Sequence, residues 1–232
     1  MELEYYSASR IKSLSECKKY FYHRYVVRDL KDESSPYADL GTALHSVLEE
    51  WRPNPKNDIK GLITEYSKHM SKKDNEWIYN EGRRILLYLD LEKLVRGELV
   101  SVELAFEETI QGYPLVGIID KVERLDDGTF LVTDYKSNKK MEPEDYLPQL
   151  AVYDLAMEHL YPGSKRIMAL YYLRHNKEFK FSFTEETRTR ILKSFVKAKV
   201  SVAQHHDNPM FWEKMPKKGK NCSYCPLKKE CW

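Results

Sequence analysis

Residues 116–136 predict two neighbouring β-strands joined by a tight turn, because Val, Ile and Leu are frequent on both sides of Asp126-Asp127-Gly128. A three-residue hairpin loop commonly ends with a residue at positive φ, which Gly128 adopts without steric cost. With that loop Leu125 pairs with Thr129, and each further pair is one residue farther out on both strands. The segment therefore predicts an antiparallel hairpin in a defined register.

This register brings two carboxylates to one face of the hairpin. Asp120 lies opposite Asp134, and Lys136 points to the same side; a two-residue loop would put the aspartates on opposite faces. Opposed carboxylates among apolar residues repel each other, whereas a divalent cation that accepts oxygens from both removes the repulsion. We expect a metal site with the Lys136 ammonium beside it, the alternative being three solvated residues at a sheet edge.

The remaining pattern predicts an α/β fold. We expect one domain, with a mainly helical arm at 1–95, a core at 96–205 and a cysteine-bearing tail at 206–232. Apolar periodicity predicts helices at 7–29, 38–51, 58–70, 74–95, 143–160 and 185–205, and strands at 99–110, 113–125, 129–136, 167–173 and 178–183.

Composition limits the class of protein and the cellular compartment that can be expected. The residues are 42% hydrophobic and 32% charged, as in soluble globular proteins. No apolar run approaches the roughly 20 residues of a membrane span, and the acidic Met1-Glu2-Leu3-Glu4 lacks a signal region, so we expect a cytoplasmic protein. A net charge of +2 indicates no partner; the lysine-rich tail either contacts phosphates or is simply solvated.

The four cysteines indicate a second metal site. Cys222, Cys225 and Cys231 lie close together in the sequence, and Cys17 lies near its start. Disulfides are rare in a reducing cytosol, and four cysteines can hold either Zn²⁺ or a [4Fe–4S] cluster. Zinc sites generally use paired Cys-x-x-Cys units, so three clustered cysteines plus a remote one favour the cluster, with Zn²⁺ as the alternative.

The hairpin sequence, Ile119-Asp120 and then Asp134-Tyr135-Lys136, resembles the signature of the PD-(D/E)XK nucleases. Three further matches resemble the RecB-like branch of that superfamily. They are the helix Gly41-Thr42-Ala43-Leu44-His45, the Gln149-x-x-x-Tyr153 pair on one helix face, and Glu103 as an additional acidic residue, with Glu107 and Glu108 as competitors.

The cysteine arrangement resembles the iron–sulfur site of RecB-like nucleases, which include AddB-type helicase-nucleases and the CRISPR-adaptation exonucleases. Residues 9–21 around Cys17 resemble the opening helix of that family. Lys18 is a departure, since a proline often follows this cysteine; it affects helix geometry and not ligation. The matched motifs run in family order from residue 9 to 231.

The resemblance implies a restriction-endonuclease-like central mixed sheet flanked by helices, with a helical N-terminal arm and an Fe–S-binding tail. It implies one or two Mg²⁺ or Mn²⁺ ions on His45, Asp120, Asp134 and the backbone carbonyl of Tyr135, with Lys136 catalytic. Gln149 and Tyr153 would contact DNA or position Lys136.

The implied activity is exonuclease action on single-stranded DNA ends, and a helicase or integrase would be a separate partner chain. The alternative function is a non-catalytic DNA-binding or assembly module of the same fold.

Overall fold

The computed structural model describes residues 5–30, 35–53, 58–73, 75–110, 112–205, 207–214 and 218–231. The strands are β1 (Glu98–Ile110), β2 (Tyr113–Arg124), β3 (Phe130–Lys136), β4 (Arg166–Tyr172) and β5 (Lys177–Phe181). The α-helices are α1 (Ala8–Glu16), α2 (Lys18–Phe21), α3 (Pro36–Trp51), α4 (Ile59–His69), α5 (Glu76–Leu87), α6 (Leu91–Leu94), α7 (Leu147–Leu160), α8 (Glu185–His205), α9 (Pro209–Trp212) and α10 (Lys228–Cys231).

The strands form one mixed sheet in the order β1-β2-β3-β4-β5. β3 and β4 are parallel, whereas the β2–β3 and β4–β5 pairs are antiparallel. Two parallel neighbours need a crossover connection, which α7 supplies. The expected α/β class, with a mixed sheet flanked by helices, is confirmed.

The predicted hairpin register is confirmed over the paired part of β2 and β3. Lys121 pairs with Thr133 and Val122 with Val132, and Gly128 closes the loop at φ +82°. The ladder ends there, so the expected Asp120–Asp134 pair lies just beyond it. Beyond the ladder, the Asp120 carboxylate accepts a hydrogen bond from the backbone N–H of Tyr135 at 2.6 Å.

The chain groups into two compact units, of which unit 2 comprises Glu33–Phe106 and Ile118–Phe183. Its core packs helices α3, α4 and α5 with Tyr135 and Tyr171 of the sheet. Beside this core, Glu123 is fully buried and pairs with Arg52 at 2.7 Å and with Lys121 at 2.8 Å. These ion pairs offset the cost of removing three charges from water.

Unit 1 comprises Met1–Asp32, Glu107–Gly117 and Thr184–Trp232. The helix expected at 7–29 is interrupted at Cys17, whose backbone is extended (φ −156°, ψ 107°), so α1 ends and α2 begins there. The Cys17 sulfur caps α2 by accepting the Tyr20 N–H at 3.4 Å. Lys18 is the first residue of α2, a position that favours proline. The helix nevertheless breaks at Cys17 without a proline there.

Other differences from the sequence expectations concern helix ends. The helix expected at 74–95 is divided into α5 and α6, and the one at 143–160 begins as a 3-10 turn over Pro143–Tyr146. The cysteine-bearing tail, for which no helix was predicted, contains α9, α10 and a 3-10 turn at Lys220–Tyr224. Within the described ranges, no helix combines the length and the apolar character that crossing a bilayer requires. The single-domain expectation stays a prediction.

Candidate metal centre

Three possible metal ligands from three elements of unit 2 converge. His45 of α3, Glu103 of β1 and Asp120 of β2 each offer one ligand atom within 4.8 Å of the other two. Two carboxylates and an imidazole form a donor set that suits a divalent cation such as Mn²⁺ or Mg²⁺. The expected His45–Asp120 proximity is therefore present, and Glu103 joins it rather than Glu107 or Glu108.

Glu103 reaches this position through an unusual backbone. Its φ is +44°, in the left-handed region, within a long strand. For a residue with a side chain such a conformation costs about 1–3 kcal/mol and is concentrated at functional sites. Burial and the nearby charge of Asp120 raise the pKa of Glu103. Burial is the larger of these two causes, and the proximity of Asp120 adds to it.

His45 lies between Asp120 and the backbone of Tyr135. Its Nδ1 is 3.5 Å from Asp120 Oδ2, and its Nε2 is 3.1 Å from the Tyr135 carbonyl oxygen. Burial opposes a charged imidazole, but the hydrogen bond to Asp120 and the charges of Asp120 and Asp134 outweigh it and raise the pKa of His45. The carbonyl expected to be a ligand thus lies beside the expected imidazole ligand.

Steric crowding explains why a glycine occupies the first position of the Gly-x-x-x-His motif. A Cβ atom at Gly41 would lie 3.2 Å from the Ser137 hydroxyl oxygen, so a side chain there would press on the segment that follows β3. Gly41 therefore lets α3 approach the end of β3 closely, which places His45 beside Tyr135.

Asp134 and Lys136 form a buried polar group beside the three ligands. Asp134 is 1% exposed, and its Oδ2 is 2.5 Å from Lys136 Nζ. Gln149 Nε2 donates to Asp134 Oδ1 at 3.0 Å, while Lys136 Nζ donates to Gln149 Oε1 at 3.3 Å. Burial, reinforced by Asp120, raises the pKa of Asp134 although Lys136 opposes this. Asp134 is adjacent to the ligand group without belonging to it.

The Gln149–Tyr153 pair supports this arrangement from α7. The Tyr153 hydroxyl oxygen accepts a hydrogen bond from Gln149 Nε2 at 2.7 Å, and the Tyr153 ring is buried against Phe106. Both side chains are therefore placed to orient Asp134 and Lys136. Their expected contact with DNA stays a prediction.

Two neighbours of the site were not anticipated from the sequence. Lys136 Nζ lies 4.4 Å from the ring centroid of Tyr146, at the start of α7. Glu49 is close enough to contribute to the raised pKa of Glu103. Glu49 follows His45 by four residues on α3, a spacing that shares a helix face and could have indicated it; no sequence signal marks Tyr146.

The residues present fit a divalent cation. Asp134 Oδ2 is buried, and the Lys136 ammonium lies 2.5 Å from it. A carboxylate this deeply buried is costly unless a cation lies beside it, which makes this position suited to positive charge. Together with the donor set of His45, Glu103 and Asp120 it describes a site suited to a metal.

The four cysteines are arranged differently. Cys17, Cys222, Cys225 and Cys231 line one small cavity of unit 1, and burial raises the pKa of the Cys225 and Cys231 thiols. Although all four belong to the described residues, no three of their sulfurs lie within 4.8 Å of one another. Tetrahedral zinc at 2.3 Å from each sulfur needs sulfurs about 3.8 Å apart. The sulfurs therefore do not form a compact single-ion site.

The chain belongs to the PD-(D/E)XK nuclease superfamily, whose family model matches residues 5–232. A candidate exonuclease from Eubacterium rectale has a similar crystal structure, with a TM-score of 0.58, 15% identity, and coverage of 98% of this chain and 88% of that one. The solved structure of SSO0001 aligns over 82% of this chain and 94% of its own at 17% identity, but its TM-score of 0.34 supports no conclusion. No curated protein matches the chain.

Proposed function

We propose that this protein is a Mg²⁺- or Mn²⁺-dependent deoxyribonuclease of the RecB-like branch. The observation that carries the proposal is the convergence of His45, Glu103 and Asp120, with Asp134 and Lys136 beside them, in a chain of the nuclease superfamily. Asp120, Asp134, Lys136, His45 and Glu103 are the proposed catalytic residues. His45, Asp120, Asp134 and the Tyr135 carbonyl are the proposed metal ligands, to which the geometry adds Glu103.

Each residue has a distinct role in phosphodiester hydrolysis. The bound cation supplies Lewis-acid polarisation of the phosphate and acidifies water. Asp120 is held by the Tyr135 N–H and cannot turn away from the ligand group. Lys136, held by Asp134 and Gln149, presents its ammonium beside the ligands, where it neutralises charge that develops on the phosphate.

The proposed substrate is single-stranded DNA, degraded from its ends. The order of the family motifs from residue 9 to 231 supports this choice, and the neighbour from Eubacterium rectale is described as an exonuclease. A helicase or integrase would be a separate partner chain. The cytoplasmic setting belongs to the same proposal.

We further propose that the four cysteines hold a structural [4Fe–4S] cluster, with Zn²⁺ as the alternative. Their common cavity supports a shared ligand. In such a cluster each cysteine binds a different iron, so the sulfurs stand farther apart than around one zinc ion. The wider spacing that a cluster requires is compatible with sulfurs that line one cavity without forming a compact single-ion group.

The nuclease proposal is tested with end-labelled single-stranded DNA in Mn²⁺, Mg²⁺ or EDTA. We expect cleavage only with a divalent metal, and its loss in Asp120→Ala and Lys136→Ala. Asp126→Asn is the matched control, because this acid of the same hairpin is exposed in the loop. Full activity in both Ala variants would refute the active-site assignment. DNA binding without cleavage by the unaltered chain would favour a non-catalytic binding module.

A further inference from the structure

We propose that a cavity beside this site binds one nucleotide unit of a single-stranded nucleic acid, with its base on Tyr37 and its phosphate at Lys139 and Lys140. This deepens the proposed nuclease function and rests on it. The cavity encloses about 360 Å³ and is lined by the segment after β3, by Tyr37 at the start of α3, and by Tyr146 and Arg174. That volume is typical of sites for small ligands.

An exposed aromatic pair marks one wall of the cavity. Tyr37 is 57% exposed and Trp77 is 40% exposed, and their rings meet edge to face with centroids 5.1 Å apart. Tyr37 lines the cavity, and Trp77 packs against its ring. Exposed rings of this kind accept unpaired bases of any sequence by stacking. A paired base in a duplex is already stacked on its neighbours, so this wall selects single strands.

Two lysines provide positive charge next to the ring. Lys139 Nζ lies 5.1 Å from the Tyr37 ring centroid, and Lys140 follows it. In the described part of the chain neither lysine is paired with a carboxylate, whereas Arg174 is bound to Glu81. The Tyr37 ring and the two ammonium groups match the two parts of a nucleotide, a flat base and a charged phosphate, and Glu142 is the one acidic residue among the described lining of this cavity.

The loop that carries these lysines is already held in place. Arg174 Nε donates to the Ser137 carbonyl at 2.5 Å, His175 Nε2 lies 2.9 Å from the Lys139 carbonyl, and the Tyr146 hydroxyl donates to Asn138 at 3.3 Å. Little ordering is therefore left for binding beyond the lysine side chains.

The cavity adjoins the proposed reaction site through Tyr146. Tyr146 lines it and also lies against Lys136, whose Nζ is 4.4 Å from the ring centroid. In the proposed binding mode, a strand whose base stacks on Tyr37 passes Tyr146 toward Lys136 and Asp134. The subsite would hold a nucleotide next to the bond that is cut.

The test is a fluorescence titration of the full chain with poly(dT), with poly(U) and with duplex DNA in EDTA, so that nothing is cleaved. Trp77 is placed to report binding, because its ring contacts Tyr37 with centroids 5.1 Å apart. We expect Tyr37→Ala to raise the Kd about tenfold, the effect of losing one stacked base. Tyr37→Phe should bind as the unaltered protein does, because it keeps the ring. Tyr88→Ala is the control, because Tyr88 is 73% exposed outside the cavity.

The lysines are tested by the salt dependence of the same Kd. A phosphate contact on a single strand contributes a slope of about −0.7 in log K against log salt. Lys139→Ala and Lys140→Ala should each reduce the slope by roughly this amount. Lys60→Ala, which removes an exposed lysine of α4, should leave it unchanged.

Loss of affinity in Tyr37→Ala for either polymer supports the subsite. The polymer that binds more tightly to the unaltered chain shows whether the subsite prefers DNA or RNA. Unchanged affinity in Tyr37→Ala, or equal losses for single-stranded and duplex DNA, would overturn it. A different result would contradict the nuclease proposal. If the unaltered chain cuts no DNA in Mn²⁺ while Tyr37-dependent binding persists, the binding subsite is supported and the nuclease activity is refuted.

Discussion

The two sets of possible metal ligands differ in what holds them in place. In unit 2, Asp120 and Glu103 lie on strands of the sheet, and the Asp120 carboxylate is fixed by a backbone N–H. In unit 1, Cys17 occupies a break between helices, Cys222 lies in a 3-10 turn and Cys231 ends a four-residue helix. The carboxylate and imidazole donors lie within 4.8 Å of one another, whereas no three of the four sulfurs do, although all four line one cavity.

Asp120 and Glu103 are brought together by strands of one sheet, whereas the sulfurs lie on separate short helices and turns, where Cys17 and Cys222 accept only local backbone N–H groups. Metal binding contributes to folding when the site is not formed in its absence. Removing the proposed cluster from the cysteines should therefore destabilise the protein strongly. Removing the proposed cation from the carboxylate site should change activity and leave stability nearly unaltered.

The largest effect is expected for Cys17→Ser. Serine keeps the N-cap of α2, so a change reports the bound group and not the helix. We expect the anaerobically purified variant to lack the brown colour of the unaltered protein completely. Its free energy of unfolding should fall by about 4 kcal/mol, which is the stabilisation that a ligand contributes at a concentration a thousandfold above its Kd. Visible absorbance and thermal unfolding measure both. Unchanged absorbance would remove Cys17 from the ligand set, and a colourless zinc-containing protein would favour zinc.

Glu103→Gln should reduce Mn²⁺-dependent cleavage about a hundredfold, the upper range seen for residues that support a metal site. Its Tm should not fall, because the substitution removes a charge that Asp120 repels. Glu107→Gln, on the same strand, is the control and should retain activity. Equal losses in the two variants would contradict the assignment of Glu103.

A smaller loss of activity, about tenfold, is expected for Gln149→Ala, because Gln149 orients Asp134 and Lys136 without reaching the ligand group. Tyr153→Phe removes only the acceptor of Gln149 Nε2 and should cost less. Rates at saturating Mn²⁺ separate this positioning role from metal binding. An effect as large as that of Asp120→Ala would show that Gln149 acts directly.

The smallest effect concerns acid stability in unit 2. Hydrogen bonds from Arg84, and then from Arg174, lower the pKa of Glu81 to about 2 although burial opposes this. An unfolded glutamate titrates near 4.3, roughly. The ionised group therefore stabilises the fold above that pH, and this contribution is lost as the pH falls toward 2. Glu81→Gln should flatten the decline in Tm over this range; an unaltered acid profile would contradict the assignment.

The hairpin could be predicted in detail because its determinants are local. Gly128 at positive φ sets the loop length, and loop length sets which residues share a face. The same reasoning placed Asp120, Asp134 and Lys136 near one another, and the structure keeps them so, although Asp120 bonds to the Tyr135 N–H beyond the ladder. The break at Cys17 could not be predicted, because apolar periodicity continues through it.

The amino-acid sequence alone determined the α/β class, the register of β2 with β3 and the family motifs, since turn chemistry and side-chain alternation act between near neighbours. Only the tertiary structure decided that Glu103, and not Glu107 or Glu108, joins His45 and Asp120. It also brought Tyr37 to the loop of Lys139. Both outcomes depend on distant segments packing together and, for Glu103, on a backbone conformation that strand propensity opposes.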